Sequence, residues 1–470
     1  MKVEQIYTGC LAEAAYYIES NGEAAIIDPL RDPQPYLEKL KENKVELKYV
    51  FETHFHADFV SGHIDLAKAT GAKIIFGPTA KPSYDIIEAI DGQEFKIGNV
   101  KIRVLHTPGH TLESTTYLLL DEEGNMNSIF SGDTLFIGDV GRPDLAVKSD
   151  LTQEDLAGML YESIHTKILP LPDNLIVYPG HGAGSACGKN LSTETTDTLG
   201  NQKATNYALD VQLPKEEFIK ELTTGILPPP QYFPKNAMMN KEGYEAFSVV
   251  KDKGLKPFDA KTFRSVAEST EALILDTRIQ SNFLEAHIPG SIFIGIDGNF
   301  APWVGALITD IHQPILIVAD EGRIEEVVTR LSRVGYDNAI GYLDGGLESW
   351  KTEGLETDSM PSISSEEFEK IYTAELDVLD VRKASEFEAE HLETAENIPL
   401  DFINGNMEKI DVDKNYFAHC AGGYRSVIFG SILKSRGLHN VTNIEGGYKQ
   451  LVETSIPKTN FVCPTTQKNK

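Results

Sequence analysis

The first half of the chain alternates short apolar runs with amphipathic stretches. Continuous apolar runs of strand length, which predict buried strands, lie at 47–51, 100–105, 117–120, 128–130 and 175–178. Apolar residues recur with helical spacing at 33–43, 61–69 and 152–166, and Ser61 is the expected N-cap of the second of these helices. This alternation of strands and helices predicts an α/β fold.

A proline-rich segment separates this half from the next. Leu227 is followed by three prolines inside the stretch 222–245, which predicts an extended linker or a strap over a surface.

The second half repeats itself. Asp276-Thr277-Arg278 recurs as Asp380-Val381-Arg382, 104 residues later, and His287 recurs as His391 at the same offset. A pair of glycines at 345–346 recurs at 446–447. The near-constant offset indicates two copies of one domain of about a hundred residues. Each copy alternates strand and helix, which predicts a parallel sheet, and the segment 356–361 is the expected joint between the copies.

Composition narrows the class of protein. The 470 residues suggest about three domains, and the 41% hydrophobic content allows each a core. The net charge of -28 argues against a nucleic-acid partner, which needs basic patches, and we interpret the acidity as solubility.

Targeting signals and cysteine usage suggest a compartment. No apolar run reaches the roughly 18 residues of a membrane span, and the start lacks a signal-peptide pattern. The widely spaced cysteines suggest no disulfide framework and fit a reducing cytoplasm; they are Cys10, Cys187, Cys420 and Cys463. We expect Cys10 to be buried and Cys463, in a polar tail, to be incidental.

Candidate metal ligands follow apolar strands at four places. They are His54, His56 and Asp58 in THFHADF, His110 in TPGHT, Asp133 in SGDT, and His181 in YPGHG. A single histidine is more often structural than ligating. Several such loops in one half of the chain instead indicate a site assembled at strand ends.

These motifs, in this order, resemble those of the metallo-β-lactamase superfamily over about residues 1–245, which implies an αββα sandwich. The superfamily's HxHxDH motif ends in a histidine that helps to hold a second metal. Here that position is Phe59, which cannot bind a metal. The departure argues against a two-metal hydrolase.

Within the superfamily the chain most resembles the persulfide dioxygenases, and GRPD at 141–144 also matches them. The resemblance implies one Fe(II) per chain, held by His54, His110 and Asp133, with open positions for O₂ and a substrate sulfur. The implied reaction converts a persulfide, O₂ and water into a thiol and sulfite. The thiol carrier, such as glutathione or coenzyme A, stays open.

The resemblance also implies roles for neighbouring residues. His56, Asp58 and His181 would orient ligands or hydrogen-bond bound oxygen. Arg142 either orders the site or meets an anionic group of the carrier, or it is purely structural. Cys187, in a glycine-rich loop after His181, is either a sulfur-handling thiol near the iron or an inert loop residue.

The last repeat carries a second chemical motif. Cys420 opens the loop CAGGYRS between a strand at 416–419 and a helix predicted at 427–436. Loop N–H groups, including those of Gly422 and Gly423, and the helix dipole would stabilise a thiolate or persulfide there. Arg425 would add charge for an anionic sulfur donor.

This loop, CxxxxR, resembles that of the rhodaneses over about residues 362–458, and the resemblance implies that Cys420 carries the sulfane sulfur. In the first repeat, residues 258–355, the loop is expected to be two residues shorter, with Asp320 in place of the cysteine. A carboxylate cannot carry sulfur, so we expect an inactive copy that spaces or braces the active domains.

The sequence thus predicts a multidomain α/β protein: a metallo-β-lactamase sandwich followed by two rhodanese domains with parallel sheets. The leading hypothesis is a cytoplasmic persulfide dioxygenase fused to a sulfurtransferase in sulfide detoxification. Its partners would be persulfide, thiosulfate, sulfite and O₂, with no nucleic acid or membrane. Because the family commonly self-associates, a homo-oligomer is implied. The alternatives are a glyoxalase II-like thioester hydrolase and a non-oxidative sulfur-carrier scaffold.

Overall fold

The computed structural model describes residues 1–145, 151–189 and 191–462, so Cys463 lies outside the described residues. The chain divides into two compact units. One comprises Met1–Val249 with Ser332–Gly335, and the other Val250–Leu331 with Tyr336–Lys470. Among the described residues, no helix combines the length and apolar character needed to cross a bilayer.

The first unit contains two six-stranded sheets within the described residues. The first sheet consists, in spatial order, of Lys2–Thr8 (β1), Glu13–Ser20 (β2), Glu23–Ile27 (β3), Glu46–Phe51 (β4), Lys73–Phe76 (β5) and Ile87–Glu88 (β6). Its first three strands pair antiparallel, and β3 to β6 pair parallel.

The second sheet is also ordered as the chain runs. Its strands are Glu94–Ile97 (β7), Val100–His106 (β8), Thr115–Leu120 (β9), Met126–Gly132 (β10), Ile176–Pro179 (β11) and Asp197–Thr198 (β12). All neighbours pair antiparallel except β10 and β11, which pair parallel. The five runs predicted as strands are therefore confirmed, with ends shifted by one or two residues.

The helices of this half of the chain are Gln34–Asn43 (α1), His63–Thr70 (α2), Gln153–Ser163 (α3), Leu199–Thr205 (α4), Lys215–Thr223 (α5), Phe233–Glu242 (α6) and Phe247–Gly254 (α7). A core of side chains from both sheets fills the space between them. Residues of α1 and α2 pack on the first sheet, and residues of α3 and α5 on the second. This is the predicted αββα sandwich.

Two local predictions need correction. Ser61 does not cap α2, because the N-cap is Gly62 and no side chain caps it; the Ser61 hydroxyl instead lies 2.7 Å from the buried Glu52 carboxylate. The stretch 222–245 lacks helical structure at 224–232 and 243–245, and between them it forms α6. The proline run obscured the helical pattern that follows it.

In the part of the second unit that the structure describes, there are two five-stranded parallel sheets. The elements of the first copy are Pro257–Phe258 (β13), Ala260–Thr270 (α8), Leu273–Asp276 (β14), Gln280–Glu285 (α9), Ile292–Phe293 (β15), Phe300–Leu307 (α10), Ile315–Val318 (β16), Ile324–Arg333 (α11), Ala339–Leu343 (β17) and Gly346–Thr352 (α12). Those of the second are Ser362–Ile363 (β18), Ser365–Ile371 (α13), Asp377–Asp380 (β19), Ala384–Ala389 (α14), Ala395–Asn397 (β20), Ile403–Asn406 (α15), Tyr416–His419 (β21), Tyr424–Ser435 (α16), Val441–Ile444 (β22) and Tyr448–Leu451 (α17).

The strand orders of the two copies are identical. The first runs β13-β17-β16-β14-β15 and the second β18-β22-β21-β19-β20. The repeated Asp-x-Arg motif makes the same contacts in both copies. Arg278 pairs with Asp276 and donates to the Ala286 carbonyl, as Arg382 pairs with Asp380 and donates to that of Glu390. The internal repeat is confirmed.

Candidate metal centre and sulfur-transfer loop

The candidate ligands of the first unit lie at one edge of the sandwich. His54 follows β4, His110 follows β8, Asp133 follows β10 directly and His181 follows β11. Because β8, β10 and β11 run in the same direction, their carboxyl ends meet at the same edge of the second sheet. Loops from separated parts of the sequence therefore converge there.

Three side chains come together as one cluster. The potential ligand atoms of His54, His110 and Asp133 all lie within 4.8 Å of one another, and all three residues are buried. Asp133 Oδ2 lies 3.9 Å from His54 Nε2 and 3.4 Å from His110 Nε2. Atoms bound to one ion at about 2.1 Å lie about 3.0–3.4 Å apart, so a small contraction would close the site.

Hydrogen bonds fix which nitrogen of each imidazole faces Asp133. His110 Nδ1 donates to the Arg142 carbonyl at 2.8 Å, which leaves its Nε2 lone pair for a ligand bond. His54 Nδ1 lies 3.0 Å from the Thr53 hydroxyl, whose own hydrogen goes to Asp28. That hydroxyl must therefore accept from His54, and Nε2 of His54 is again the free acceptor.

The cluster passes a test of fit for a metal ion. His110 Nε2 and Asp133 Oδ2 are buried and have no hydrogen-bond partner. A buried polar atom without a hydrogen-bond partner lowers the stability of the fold unless another group, such as a metal ion, binds it. Two imidazoles and one carboxylate are a donor set that suits a divalent transition metal.

The charges of the cluster suit a cation as well. Burial, together with the adjacent His56, lowers the pKa of His54 well below its ordinary value, so this imidazole is neutral. Burial alone would raise the pKa of Asp133, but the surrounding imidazoles, His181 foremost, hold it well below its ordinary value. The carboxylate is therefore ionised, as a ligand must be.

Two positions next to the candidate ligands have room only for glycine. A Cβ at Gly180 would lie 2.6 Å from Asp133 Oδ1, and one at Gly141 would lie 2.8 Å from His110 Nδ1. Any side chain at either position would displace a candidate ligand.

His56 points away from this cluster. Its Nε2 lies 3.1 Å from Asp28 Oδ1 and 3.6 Å from Glu52 Oε2, and the three side chains form a second buried group. Its ring packs against that of Phe59, with centroids 4.3 Å apart. Sequence reasoning missed Asp28 and Glu52, although each directly follows an apolar strand.

Asn240, on α6, holds the loop that carries the first histidines. Its amide donates to the carbonyls of His56 and Phe59, both at 2.8 Å, and accepts from Ser61 N at 2.9 Å. It is 179 to 184 residues from these loop positions in sequence, and no motif marks it.

Asp58, His181 and Cys187 form a third buried group. His181 Nδ1 lies 2.8 Å from Asp133 Oδ1, and its Nε2 lies 2.7 Å from Asp58 Oδ2. Burial would lower the pKa of His181, but Asp133 and Asp58 raise it well above its ordinary value. Burial raises the pKa of the Cys187 thiol. Cys187 is thus adjacent to the metal cluster, as one of its two sequence interpretations requires.

The Arg142 guanidinium is engaged within the protein. It pairs with Asp144 through Nε and Nη2, and Nη1 donates to the Ala186 carbonyl at 3.1 Å. The carbonyl of Arg142 also accepts a hydrogen bond from His110 Nδ1, and its N–H donates to the Cys187 carbonyl. These contacts favour the interpretation in which Arg142 orders the site.

The Cys420 loop of the second unit cradles its sulfur. Gly423 N donates to Cys420 Sγ at 3.1 Å, and the Ser426 hydroxyl lies 3.8 Å from it. Gly423 has a φ of +98°, a conformation that favours glycine, and it is the N-cap of α16. The helix begins at Tyr424, three residues before the predicted start, so its N-terminus faces the sulfur more closely than expected.

Arg425 makes a bidentate ion pair with Glu386, at 2.6 and 2.9 Å. Burial would raise the pKa of Glu386, but the hydrogen bonds from Arg425 bring it below its ordinary value. Glu386 belongs to α14 and was not identified from the sequence.

The loop of the first copy differs from the prediction in detail. Asp276 pairs with Val318 in the sheet, as Asp380 pairs with His419. Ala319, rather than Asp320, is therefore the counterpart of Cys420, and the loop to Arg323 is one residue shorter rather than two. Sequence offsets alone could not place the missing residue. The conclusion that this copy has no sulfur-carrying side chain at that position is unchanged.

Comparison with known families divides the chain in the same way. Residues 8–181 match the metallo-beta-lactamase superfamily, and residues 259–353 and 364–454 each match the rhodanese-like domain.

Two curated proteins illustrate the relatives of the N-terminal part. The persulfide dioxygenase ETHE1, mitochondrial, of Homo sapiens is 30% identical over 212 residues, which cover 44% of this chain and 74% of that protein. A probable hydroxyacylglutathione hydrolase of Schizosaccharomyces pombe is 31% identical over 37% of this chain. The match spans 66% of the length of that hydrolase, just under two thirds.

A solved structure resembles a larger share of the chain. The crystal structure of a metallo-beta-lactamase from Staphylococcus aureus subsp. aureus COL is 33% identical, with a TM-score of 0.63. The likeness covers 73% of this chain and 98% of that one, and so extends beyond the N-terminal unit.

Proposed function

Because the chain belongs to the metallo-β-lactamase superfamily, with persulfide dioxygenase homologues covering its N-terminal part, and carries two rhodanese-like domains, we propose that it is a persulfide dioxygenase fused to a sulfurtransferase. The first unit would convert RSSH, O₂ and water into RSH and sulfite. The last copy of the second unit would move sulfane sulfur between thiosulfate and a thiol. Together they would serve sulfide detoxification.

The observation that carries the proposal is the buried cluster of two imidazole nitrogens and one carboxylate oxygen, from His54, His110 and Asp133. We assign one Fe(II) per chain to His54, His110 and Asp133. When bound, this ion would supply open coordination positions for O₂ and the substrate sulfur. Phe59 is fully buried and cannot bind a metal, so in this proposal the site holds a single ion.

The remaining residues of the cluster would orient these ligands. Arg142 fixes the His110 ring through its carbonyl, and His181 holds the Asp133 carboxylate. Asp58 in turn holds His181, while His56 contacts Asp28. Such supporting contacts commonly change metal affinity or activity by about 10–100-fold. The buried Cys187 thiol would face the substrate sulfur from the same side.

In the second unit, Cys420 would accept and donate the sulfane sulfur. The N–H of Gly423, with Gly422 beside it, would stabilise the anionic sulfur, and Arg425 would add positive charge for the donor. The fusion would link the two reactions, because the sulfite made by the first unit is a substrate of the sulfurtransferase, which combines it with a persulfide. In the reverse direction, thiosulfate and a thiol give fresh persulfide for oxidation. The Gly423 N–H and the positive charge of Arg425 suit small anionic sulfur compounds as partners.

The cytoplasm is the location we propose, since none of the described cysteines, Cys10, Cys187 and Cys420, forms a disulfide. Self-association of the chain is part of the same proposal.

Thioester hydrolysis at a two-metal centre is the second candidate. Hydroxyacylglutathione hydrolases are among the relatives, and Asp58 and His181 still lie together with Cys187 as a further potential ligand. A third candidate is a sulfur-carrier scaffold without oxidative activity.

Metal analysis combined with an oxygen electrode separates the three. Protein loaded anaerobically with Fe(II) is given glutathione persulfide and then coenzyme A persulfide. We expect one iron per chain and O₂ uptake with sulfite release. Two zinc ions per chain, hydrolysis of a glutathione thioester and no O₂ uptake would instead establish the hydrolase. Neither activity would leave the scaffold.

A further inference from the structure

The two copies of the second unit meet at the Cys420 loop. The hydroxyl of Tyr424, the residue after Gly423, donates to the Gly295 carbonyl of the first copy at 2.8 Å. Its ring packs edge-on against Phe293, with centroids 5.8 Å apart. Behind it, Phe293 N donates to the Ser431 hydroxyl on α16 at 3.0 Å.

The fit around Tyr424 is close. A Cβ added at Gly298 would overlap the Tyr424 ring, so only glycine leaves room for the tyrosine at that position. Tyr424 is the first residue of α16, directly after the residue whose N–H faces Cys420 Sγ. An anchor on Tyr424 therefore restrains the N–H that meets the sulfur.

Gln280 of the first copy reaches the same loop. It is the first residue of α9, and a Cβ added at Gly423 would lie 3.1 Å from Gln280 Nε2. Among the residues that the structure describes, the half-buried Gln280 side chain has no hydrogen-bond partner. Two amide hydrogens are therefore available next to Gly423 in the Cys420 loop.

We propose that the degenerate copy completes the sulfur-transfer site of the active copy. In this proposal Tyr424 is a positioning residue, and Gln280 binds the anionic oxygens of a thiosulfonate-type donor such as thiosulfate. The inference rests on the proposed sulfurtransferase activity and deepens it.

The chemical step balances without an oxidant or a proton. The Cys420 thiolate attacks the outer sulfur of thiosulfate, and a new S–S bond forms. The S–S bond of thiosulfate breaks, and its electron pair leaves with sulfite. The Gln280 amide would donate to the oxygens of this leaving group, where negative charge increases.

The test of Gln280 uses a change of charge. Gln280→Glu keeps the shape and replaces two donors by a carboxylate, so the KM for thiosulfate should rise at least about tenfold. Gln280→Ala should raise it about threefold. The control is Gln313→Glu, since the Gln313 amide donates to Glu271 within its own copy. An unchanged KM in Gln280→Glu overturns the assignment of Gln280.

The test of Tyr424 uses the reactivity of the thiol. Tyr424→Phe removes only the hydroxyl that reaches Gly295, and kcat for transfer should fall about three- to tenfold with KM unchanged. Iodoacetamide should alkylate Cys420 more slowly by a similar factor, in chains whose other three cysteines are serine. Tyr372→Phe, which loses a hydrogen bond to Thr394 in the same copy, is the control.

The outcomes distinguish this inference from the proposed function. No sulfur transfer by the full wild-type chain contradicts the proposed function, while the alkylation rates still test the anchor. In the other case, the wild type transfers sulfur while Gln280→Glu and Tyr424→Phe keep its kinetics and its alkylation rate. That result overturns this inference and leaves the proposed function standing.

Discussion

At the scale of single residues, the placement of protons on the imidazoles decides whether the cluster of His54, His110 and Asp133 can bind a cation. The Arg142 carbonyl and the Thr53 hydroxyl each occupy the Nδ1 side of a histidine, so both Nε2 lone pairs face Asp133. A histidine with the opposite tautomer would present a hydrogen there and would repel a cation. The ligand types are therefore insufficient without the groups behind them.

Single substitutions should separate the two activities. His110→Ala removes a proposed metal ligand, and O₂ uptake with persulfide should fall by about 100-fold or more, because replacing even supporting residues costs about 10–100-fold. Cys420→Ser removes the proposed sulfur carrier, and thiosulfate:thiol transfer should fall to background. Each variant should keep the other activity when measured by oxygen electrode and by a thiosulfate transfer assay.

Cys10→Ser is the matched control, since Cys10 belongs to neither candidate site. Loss of oxidation of a supplied persulfide in Cys420→Ser would contradict the separation of the two reactions.

At the scale of elements, α6 stabilises the loop that follows β4. Asn240 donates to the carbonyls of His56 and Phe59 in that loop and accepts from the N–H of Ser61. The helix follows the proline-rich segment and thus returns the chain to the metal edge. This role was invisible in the sequence because an asparagine on a helix has no distinctive pattern.

Replacement of that asparagine should destabilise the first unit. Asn240→Ala leaves buried polar groups unpaired, each at a cost of about 1–3 kcal/mol, so we expect a loss of about 2–4 kcal/mol in unfolding free energy. Denaturant unfolding of the iron-free chain measures it. Met238→Ala, on the exposed side of α6, should change stability by less than about 0.5 kcal/mol. Equal effects of both substitutions would rule out the role of Asn240.

At the scale of the whole molecule, the metal site and the sulfur-transfer loop belong to different compact units. Each unit has its own hydrophobic core. In the first unit it lies between the two sheets, and in the second unit each parallel sheet has a core of its own. A ligand that binds one folded unit stabilises that unit by mass action.

Removal of the metal should therefore lower one thermal transition. At a metal concentration 100-fold above Kd the gain is about 2.7 kcal/mol, or about 5–10 °C for a unit of this size. Calorimetry before and after chelation should show this loss in one transition and no change in the other. His110→Ala should show no response to the chelator, and a shift of both transitions by the same amount would refute the assignment.

Local patterns in the sequence determined much of this protein. Apolar periodicity predicted the strands and helices, because burial of one face requires it. The constant offset revealed the two copies, since a repeated core repeats its pattern. Short motifs at strand ends identified His54, His110, Asp133 and Cys420 as candidates, because both kinds of site are built from loops next to strands.

Only the tertiary structure decided which of these groups meet and what supports them. It turned His56 towards Asp28 and Glu52, placed Cys187 beside His181, and brought Asn240 to the metal loop. It replaced Asp320 by Ala319 as the counterpart of Cys420, because strand register is set by pairing across the sheet. It also placed Gln280 and Gly295 at the loop of the other copy. Contacts between residues far apart in sequence depend on packing, and local patterns do not encode packing.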